Sequence, residues 1–262
     1  MMVDGSIWER NAHVLSLAFS DGSEVGRSLS VDLILLALEP HLPDSPCRVI
    51  DVGGGGGHVG IRLAELGHEV VIVDSDLTMV DATIKNISLV PQQVRELIKV
   101  VHATGESSSN EVGGGYDVLC CHSVIMYQDS PLTFLSEILE LVSDEAVVSI
   151  SSINPDSSAM RLGLQERWAE AIATLSTGLN CDTRCIATNN ISRVAVSKRL
   201  SDLGFDEIGW YGIGIFTDYL CEAVVASDIR QVIAAEWLAG CSDPYRAVAR
   251  CFHILGRRGS PQ

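Results

Sequence analysis

Short apolar runs rich in valine and isoleucine recur along the first 150 residues and predict buried β-strands. Between these runs, apolar positions three and four residues apart predict amphipathic helices. The alternation indicates an α/β fold, a doubly wound, mostly parallel sheet with helices on both faces. The predicted strands are Arg48–Val52, Glu69–Asp74, Ile98–His102, Tyr116–His122 and 146–151, and the predicted helices are 59–66, Leu77–Ile87 and 131–141.

The pattern changes towards both ends of what we expect to be a single domain, residues 1–262. Helical patterns predict an N-terminal cap at 1–43 and a substrate-side insertion at 155–190, both placed to cover a crevice at the carboxyl ends of the strands. The other predicted elements are a helix at 157–175 within that insertion, a helix at 192–203, and an antiparallel pair of strands at 205–216 and 245–256 around a helical pattern at 219–238.

Composition and charge narrow the classes of function. The 262 residues are 47% hydrophobic, which is ample for a core and excludes intrinsic disorder. Eighteen basic against 34 acidic residues give a net charge of −16, so most of the surface should repel nucleic acids and anionic membranes. The longest aliphatic stretch, 33–38, is too short to span a bilayer, and the expected location is cytoplasmic.

The eight cysteines show no CxxC spacing, so we expect free thiols and no metal site. Cys120 and Cys121 fall inside a predicted buried strand. Cys181 and Cys185 are four residues apart and leave zinc as an alternative, but no matching pair of histidines or cysteines follows nearby.

The strongest chemical signal is a glycine run that follows the first predicted strand and precedes a helix. Gly53, Gly55 and Gly57 permit positive φ and a close approach of the backbone to a ligand at the helix N-terminus. Asp51 ends the strand before the glycines, and Asp74 ends the next strand, 21 residues after Gly53. A carboxylate at that distance suits the two hydroxyls of a ribose.

The run reads Asp-x-Gly-x-Gly-x-Gly rather than the GxGxxG of dinucleotide-binding proteins, and it resembles that of the class I S-adenosylmethionine-dependent methyltransferases. The segments 122–127, 216–220 and 252–256 are similar to those of the subfamily that methylates the carboxyl group of a tRNA carboxymethoxyuridine. Departures lie on the substrate side, where Ile125 and Met126 replace the usual Leu-Glu. The resemblance implies a seven-stranded sheet with the last strand antiparallel, and S-adenosylmethionine as cofactor with S-adenosylhomocysteine as product.

The resemblance also implies the cofactor site. Met79 is expected to contact the adenine, with a packing position in the hydrophobic core as the alternative. Arg27 is expected to pair with the cofactor carboxylate, with a solvated surface position as the alternative. His122 is expected to contact the cofactor, and a role as general base is also considered for it. The cofactor-binding residues expected by resemblance are Arg27, Asp51, Gly53, Gly54, Gly55, Gly57, Asp74, Ser75, Met79, Thr104, Gly105 and His122.

The acceptor is expected to be a small organic molecule, O-methylated in secondary metabolism, because the chain is acidic and lacks a basic groove. Two alternatives stay open: methylation of a modified tRNA wobble uridine, and a noncatalytic cofactor-binding module that kept the fold. The oligomeric state is also left open. Candidate substrate-binding residues are Tyr127, Asn154, Met160, Arg161, Trp210 and Tyr211.

Overall fold

The computed structural model describes residues 29–43, 46–103, 112–178, 189–217 and 229–259. These residues contain one seven-stranded sheet in the order β3-β2-β1-β4-β5-β7-β6. Strand β7 is antiparallel to both of its neighbours, and the other pairings are parallel. The strands are β1 (Arg48–Val52), β2 (Glu69–Asp74), β3 (Ile98–His102), β4 (Tyr116–His122), β5 (Val142–Ile153), β6 (Phe205–Ile213) and β7 (Cys251–Arg258).

Helices cover both faces of the sheet, as the sequence predicts. The helices are α1 (Leu29–Leu38), α2 (His58–Glu65), α3 (Leu77–Ile87), α4 (Gln92–Arg95), α5 (Pro131–Leu139), α6 (Ser158–Leu164), α7 (Trp168–Thr177), α8 (Arg193–Asp202) and α9 (Ile229–Gly240). Apolar side chains of α5 and α8 pack on one face against a cluster that includes Leu119 and Cys121. Those of α1 and α2 pack on the other face against Val118 and Cys120, the alternate residues of the same strand.

Four predicted elements differ from the structure. The strand expected at 205–216 ends at Ile213. The helix expected at 157–175 is two helices, because Glu166 between α6 and α7 has a left-handed backbone with φ of 60°. Strand β5 begins at Val142 rather than 146. Residues 143–145 are polar and hide the start of the strand in the sequence, whereas the pairing of Val142 with Tyr116 shows it. The expected strand 245–256 begins with a 3-10 turn at Tyr245–Val248, and its pairing starts only at Cys251.

One expectation about burial is confirmed. Cys120 and Cys121 are free thiols with no exposed surface. Nothing in the described part of the chain is a helix with the length and apolar character that crossing a membrane requires. Cys181 and Cys185 lie outside the described residues.

A buried carboxylate anchors the loop that follows β6. Glu236 on α9 is fully buried and accepts hydrogen bonds from the backbone N–H groups of Ile215, Phe216 and Thr217 at 2.8 to 2.9 Å. The Thr217 hydroxyl donates a fourth bond at 2.7 Å. The loop is therefore tied to α9 through one side chain.

Replacing this carboxylate should destabilise the protein strongly. Glu236→Ala is expected to lower the free energy of unfolding by about 2 to 4 kcal/mol, because several buried donors lose a charged acceptor together. Urea denaturation measures the change. Asp202→Ala removes an exposed carboxylate paired with Lys198 and serves as control, with an expected change below about 0.5 kcal/mol. Equal midpoints for both variants would contradict the anchoring role.

Candidate active site

The glycine turn between β1 and α2 lies at the carboxyl edge of the sheet, where open α/β sheets bind ligands. Gly53, Gly55 and Gly57 all have positive φ, as predicted. The Gly53 and Gly54 N–H groups donate to the carbonyl of Val73 at 2.7 and 3.2 Å, which fixes the turn to the end of β2.

The glycines differ in what surrounds them. A Cβ on Gly53 would collide with the Val124 side chain, and a Cβ on Gly54 would lie 2.6 Å from Cγ2 of Ile72. A Cβ on Gly55 would meet nothing within 4 Å. Gly53 and Gly54 are thus required by packing, whereas Gly55 faces open space, and its contact with the cofactor stays a prediction.

Asp74 joins the end of β2 to the glycine turn. Its Oδ2 accepts the N–H of Gly55 at 2.8 Å, and its Oδ1 accepts the N–H of Asp76 at 2.9 Å. An ionised carboxylate can accept about four hydrogen bonds, so these two leave capacity for two hydroxyl groups. The half-buried carboxylate at this edge fits the expected contact with a ribose, which stays a prediction.

Helix α3 supports the turn through two polar side chains that sequence reasoning missed. The Thr83 hydroxyl donates to the carbonyl of Gly55, and the Asn86 amide donates to the carbonyl of Gly56 at 2.9 Å. Their three-residue spacing places both on one face of α3, but nothing in the sequence indicates that this face meets the turn.

Asp51 lies beneath the turn. It is 2% exposed, and its carboxylate accepts the backbone N–H of Gly60 in the first turn of α2. Gly57, the residue that precedes α2, has no side chain to cap that helix, so Asp51 supplies the missing acceptor. Burial raises the pKa of Asp51 to about 7, against a lowering by the Gly60 N–H. Asp51 therefore supports the loop, and its expected contact with the cofactor stays a prediction.

His122 ends β4 at the same edge of the sheet. Its Nε2 lies 2.8 Å from the Ser149 hydroxyl on β5. Burial lowers the pKa of His122 to about 3, so the imidazole is neutral near pH 7. The next residue, Ser123, has φ of 60°, a left-handed backbone that costs a non-glycine residue about 1 kcal/mol or more. Such strain is typical of functional sites, and the sequence did not single out Ser123.

Comparison with known proteins agrees with this arrangement. The model of the methyltransferase domain family matches residues 24–206. The chain belongs to this family. Membership confirms the predicted class of enzyme, a class I methyltransferase that uses S-adenosylmethionine as methyl donor.

Individual relatives are distant. The tRNA 5-carboxymethoxyuridine methyltransferase of Escherichia coli strain K12 is 22% identical over 214 residues, 80% of each chain. A ubiquinone biosynthesis O-methyltransferase of Rickettsia typhi is 25% identical over 137 residues, 52% of this chain and 53% of the relative. Among solved structures, the magnesium protoporphyrin IX methyltransferase of Synechocystis PCC 6803 is similar, with a TM-score of 0.55 and 18% sequence identity. The alignment covers 95% of this chain and 94% of that protein's chain.

Other parts of this methyltransferase's expected cofactor site are less defined. Ser75 and Met79 are exposed after β2, and Met79 at 38% exposure is not a core residue, so that alternative is wrong. Its contact with the adenine stays a prediction. Arg27, Thr104 and Gly105 lie outside the described residues.

Three of the substrate-binding candidates lie on segments that leave the carboxyl edge of the sheet. Tyr127, 51% exposed, ends the 3-10 turn after β4. Met160, 41% exposed, and Arg161 are on α6, which follows β5. These positions agree with an acceptor pocket, and the contacts themselves stay predictions.

Asn154 is held by the protein instead of facing a ligand. Its amide donates to the carbonyls of Ala247 and Ala249 at 3.0 and 3.1 Å, and its Oδ1 accepts the N–H of Asp156 at 3.2 Å. These bonds tie the end of β5 to the turn before β7. The expectation that Asn154 binds substrate is therefore corrected to a structural role.

Trp210 and Tyr211 do not line one pocket, because successive residues of β6 point to opposite faces of the sheet. Two guanidinium groups, those of Arg193 and Arg246, lie 4.5 and 4.1 Å from the centre of the Trp210 ring. Tyr211 stacks on Trp237 with ring centres 5.3 Å apart. Both aromatic side chains pack against the protein, which corrects their joint assignment to the acceptor pocket.

His122→Asn distinguishes a binding role from a catalytic base. We expect kcat/KM to fall about 10-fold, the effect of one lost hydrogen bond, with an unchanged pH profile between about pH 6 and 8. With its pKa near 3, His122 does not titrate in that range. If His122 were the general base, the variant would lose about 100-fold to 10,000-fold in rate and would lack a near-neutral ionisation present in the wild type. Initial rates over this pH range measure both quantities.

Proposed function

We propose that this enzyme transfers a methyl group from S-adenosylmethionine to an oxygen of a small, largely apolar organic acceptor of secondary metabolism. The observation that carries the proposal is the surface of α6 and α7, beyond the end of β5. Five large apolar side chains there are 41% to 76% exposed: Met160, Leu164, Trp168, Ile172 and Leu175. Exposed apolar surface of this extent is typical of a site that receives an apolar ligand.

The residues at the carboxyl edge fit the cofactor. Gly55 leaves a cradle that any side chain would fill, and Asp74 has acceptor capacity for the ribose hydroxyls. His122 lies at the end of β4, and its Nδ1 is covered and has no hydrogen-bond partner among the described residues. These three residues would hold the cofactor across β1, β2 and β4.

When bound, S-adenosylmethionine supplies a methyl group on a positively charged sulfur. Displacement there needs the acceptor oxygen in line with the methyl group, so the protein contributes mainly alignment and exclusion of water. The glycine turn and Asp74 fix the donor side, and the apolar faces of α6 and α7 exclude water on the acceptor side. His122 is neutral and brings no charge to the site.

A second candidate, methylation of a tRNA carboxylate, is favoured by the E. coli relative that matches 80% of this chain. Charge argues against it. The described substrate-side segment 155–178 contains two arginines and three acidic residues, and Arg167 is paired with Glu170. An RNA-binding surface needs a net positive groove to neutralise phosphates.

The test compares acceptors directly. Radiolabelled S-adenosylmethionine is incubated with the enzyme and either a panel of phenols, alcohols and hydroxyquinones or bulk tRNA from a strain unable to methylate its carboxymethoxyuridine. Methyl transfer to members of the small-molecule panel supports the proposal. Transfer to the tRNA alone, together with submicromolar tRNA binding that weakens steeply with salt, would replace it with the second candidate.

A further inference from the structure

Three polar side chains form a continuous chain across the sheet inside its apolar core. They come from the neighbouring strands β4, β5 and β7: His122, Ser149 and His253. The Ser149 hydroxyl lies 2.8 Å from Nε2 of His122 and 2.7 Å from Nε2 of His253. Ser149 and His253 are fully buried, and the two imidazole rings meet edge to face with centres 5.7 Å apart.

One hydroxyl between two ring nitrogens restricts the protons of both rings. A serine hydroxyl has one hydrogen, so it donates to one Nε2 and accepts from the other. One histidine must therefore carry its hydrogen on Nε2, and the other must have a bare Nε2. Burial lowers the pKa of both histidines, and the charge of His122 would lower that of His253 further, so both rings are neutral. Neutral rings bridged in this way have opposite tautomers.

The outer nitrogens decide between the two arrangements. Among the described residues, neither Nδ1 of His122 nor Nδ1 of His253 has a hydrogen-bond partner. An orphaned N–H is rarer in protein interiors than an orphaned acceptor. Both Nδ1 atoms are covered by protein, but the His253 side chain is fully buried, whereas that of His122 is part-exposed at the carboxyl edge, where a bound ligand can supply the missing partner. We therefore assign the bare Nδ1 to His253, with its hydrogen on Nε2 donated to Ser149. Ser149 then donates to Nε2 of His122, which places the hydrogen of His122 on Nδ1.

We propose that Ser149 and His253 are positioning residues that hold His122 as the Nδ1–H tautomer, so that it offers a hydrogen-bond donor and not a base to an acceptor oxygen of the bound ligand. A carboxylate or carbonyl oxygen is the chemistry that such a donor recognises. The tautomer itself rests on the geometry and the burial of the three side chains. Its consequence for ligand binding rests on the proposed function.

The tautomers are measured by ¹⁵N NMR of histidine-labelled enzyme without cofactor near pH 7, with signals assigned through His122→Asn and His253→Asn. The expected result is a protonated Nδ1 in His122 and a protonated Nε2 in His253. A protonated Nε2 in His122, or an imidazolium at either site, would overturn the proposal. Because no methyl transfer is measured, this result is independent of the acceptor.

Ser149→Ala tests the coupling. Without the bridging hydroxyl, the His122 signals should move towards those of a tautomer mixture, and affinity for S-adenosylmethionine should fall about 5-fold to 30-fold, the effect of a weakened hydrogen bond. Ser152→Ala is the matched control, since it deletes an equally buried hydroxyl on the opposite face of β5, bonded only weakly to the Met126 sulfur at 3.5 Å.

The outcomes separate the inference from the proposed function. Unchanged His122 signals in folded Ser149→Ala would contradict the positioning role, whatever the acceptor is. If Ser149→Ala does not fold, the tautomers of the wild-type enzyme decide alone. If the expected tautomers are observed but the enzyme methylates only tRNA, the inference about His122 stands and the proposed small-molecule acceptor is overturned.

Discussion

Gly55→Val is expected to abolish S-adenosylmethionine binding and leave the fold in place. A Cβ at Gly55 points into open space at the carboxyl edge, so the valine side chain would fill the cradle proposed for the cofactor. The backbone there has φ of 56°, which a β-branched residue strongly disfavours, so the turn would also be strained. We expect an affinity loss of at least about 1,000-fold by calorimetry, equivalent to about 4 kcal/mol.

Gly67→Val separates strain from occlusion. Gly67 also has positive φ, 95°, and open space where a Cβ would be, but it lies in the turn between α2 and β2. Both variants should lose similar stability in thermal unfolding, and only Gly55→Val should lose the cofactor. Equal affinities in the two variants would show that the open side of Gly55 does not face the cofactor.

Asp74→Ala is expected to weaken S-adenosylmethionine binding about 30-fold to 1,000-fold, or roughly 2 to 4 kcal/mol. The variant would lose the two charge-assisted hydrogen bonds that we expect Asp74 to make with the ribose. It would also lose the bond from the Gly55 N–H that holds the turn against β2. Calorimetry gives the affinity, and thermal unfolding reports how much of the loss reflects a loosened turn.

Asp81→Ala is the control for charge. This exposed carboxylate on α3 carries the same charge seven residues further along the chain. Its removal should leave the affinity within about twofold, because salt largely screens the charge of an exposed side chain that does not contact the ligand. Wild-type affinity in Asp74→Ala would remove Asp74 from the cofactor site, and an equal loss in Asp81→Ala would attribute the effect to net charge.

The features that were predictable from sequence are those written in local patterns. The bounds of β1 to β4 agree with prediction, because the strands of a parallel sheet leave short, nearly continuous apolar runs. The glycine turn and Asp74 were also predictable from local sequence, because the glycines permit positive φ and Asp74 follows Gly53 by 21 residues. Glu166 shows the limit, since its left-handed backbone breaks a helical pattern that continues through residues 157–175.

The sequence by itself thus determined the layered sheet, the glycine turn and the family resemblance, each of which depends on residues close together in the chain. Only the tertiary structure decided which distant side chains meet. Ser149 and His253 are 104 residues apart and touch because β7 inserts antiparallel beside β5. Thr83 reaches Gly55 only through the packing of α3. Sheet order and helix packing create these contacts, and neither leaves a periodic pattern of apolar residues that could be recognised in a single sequence.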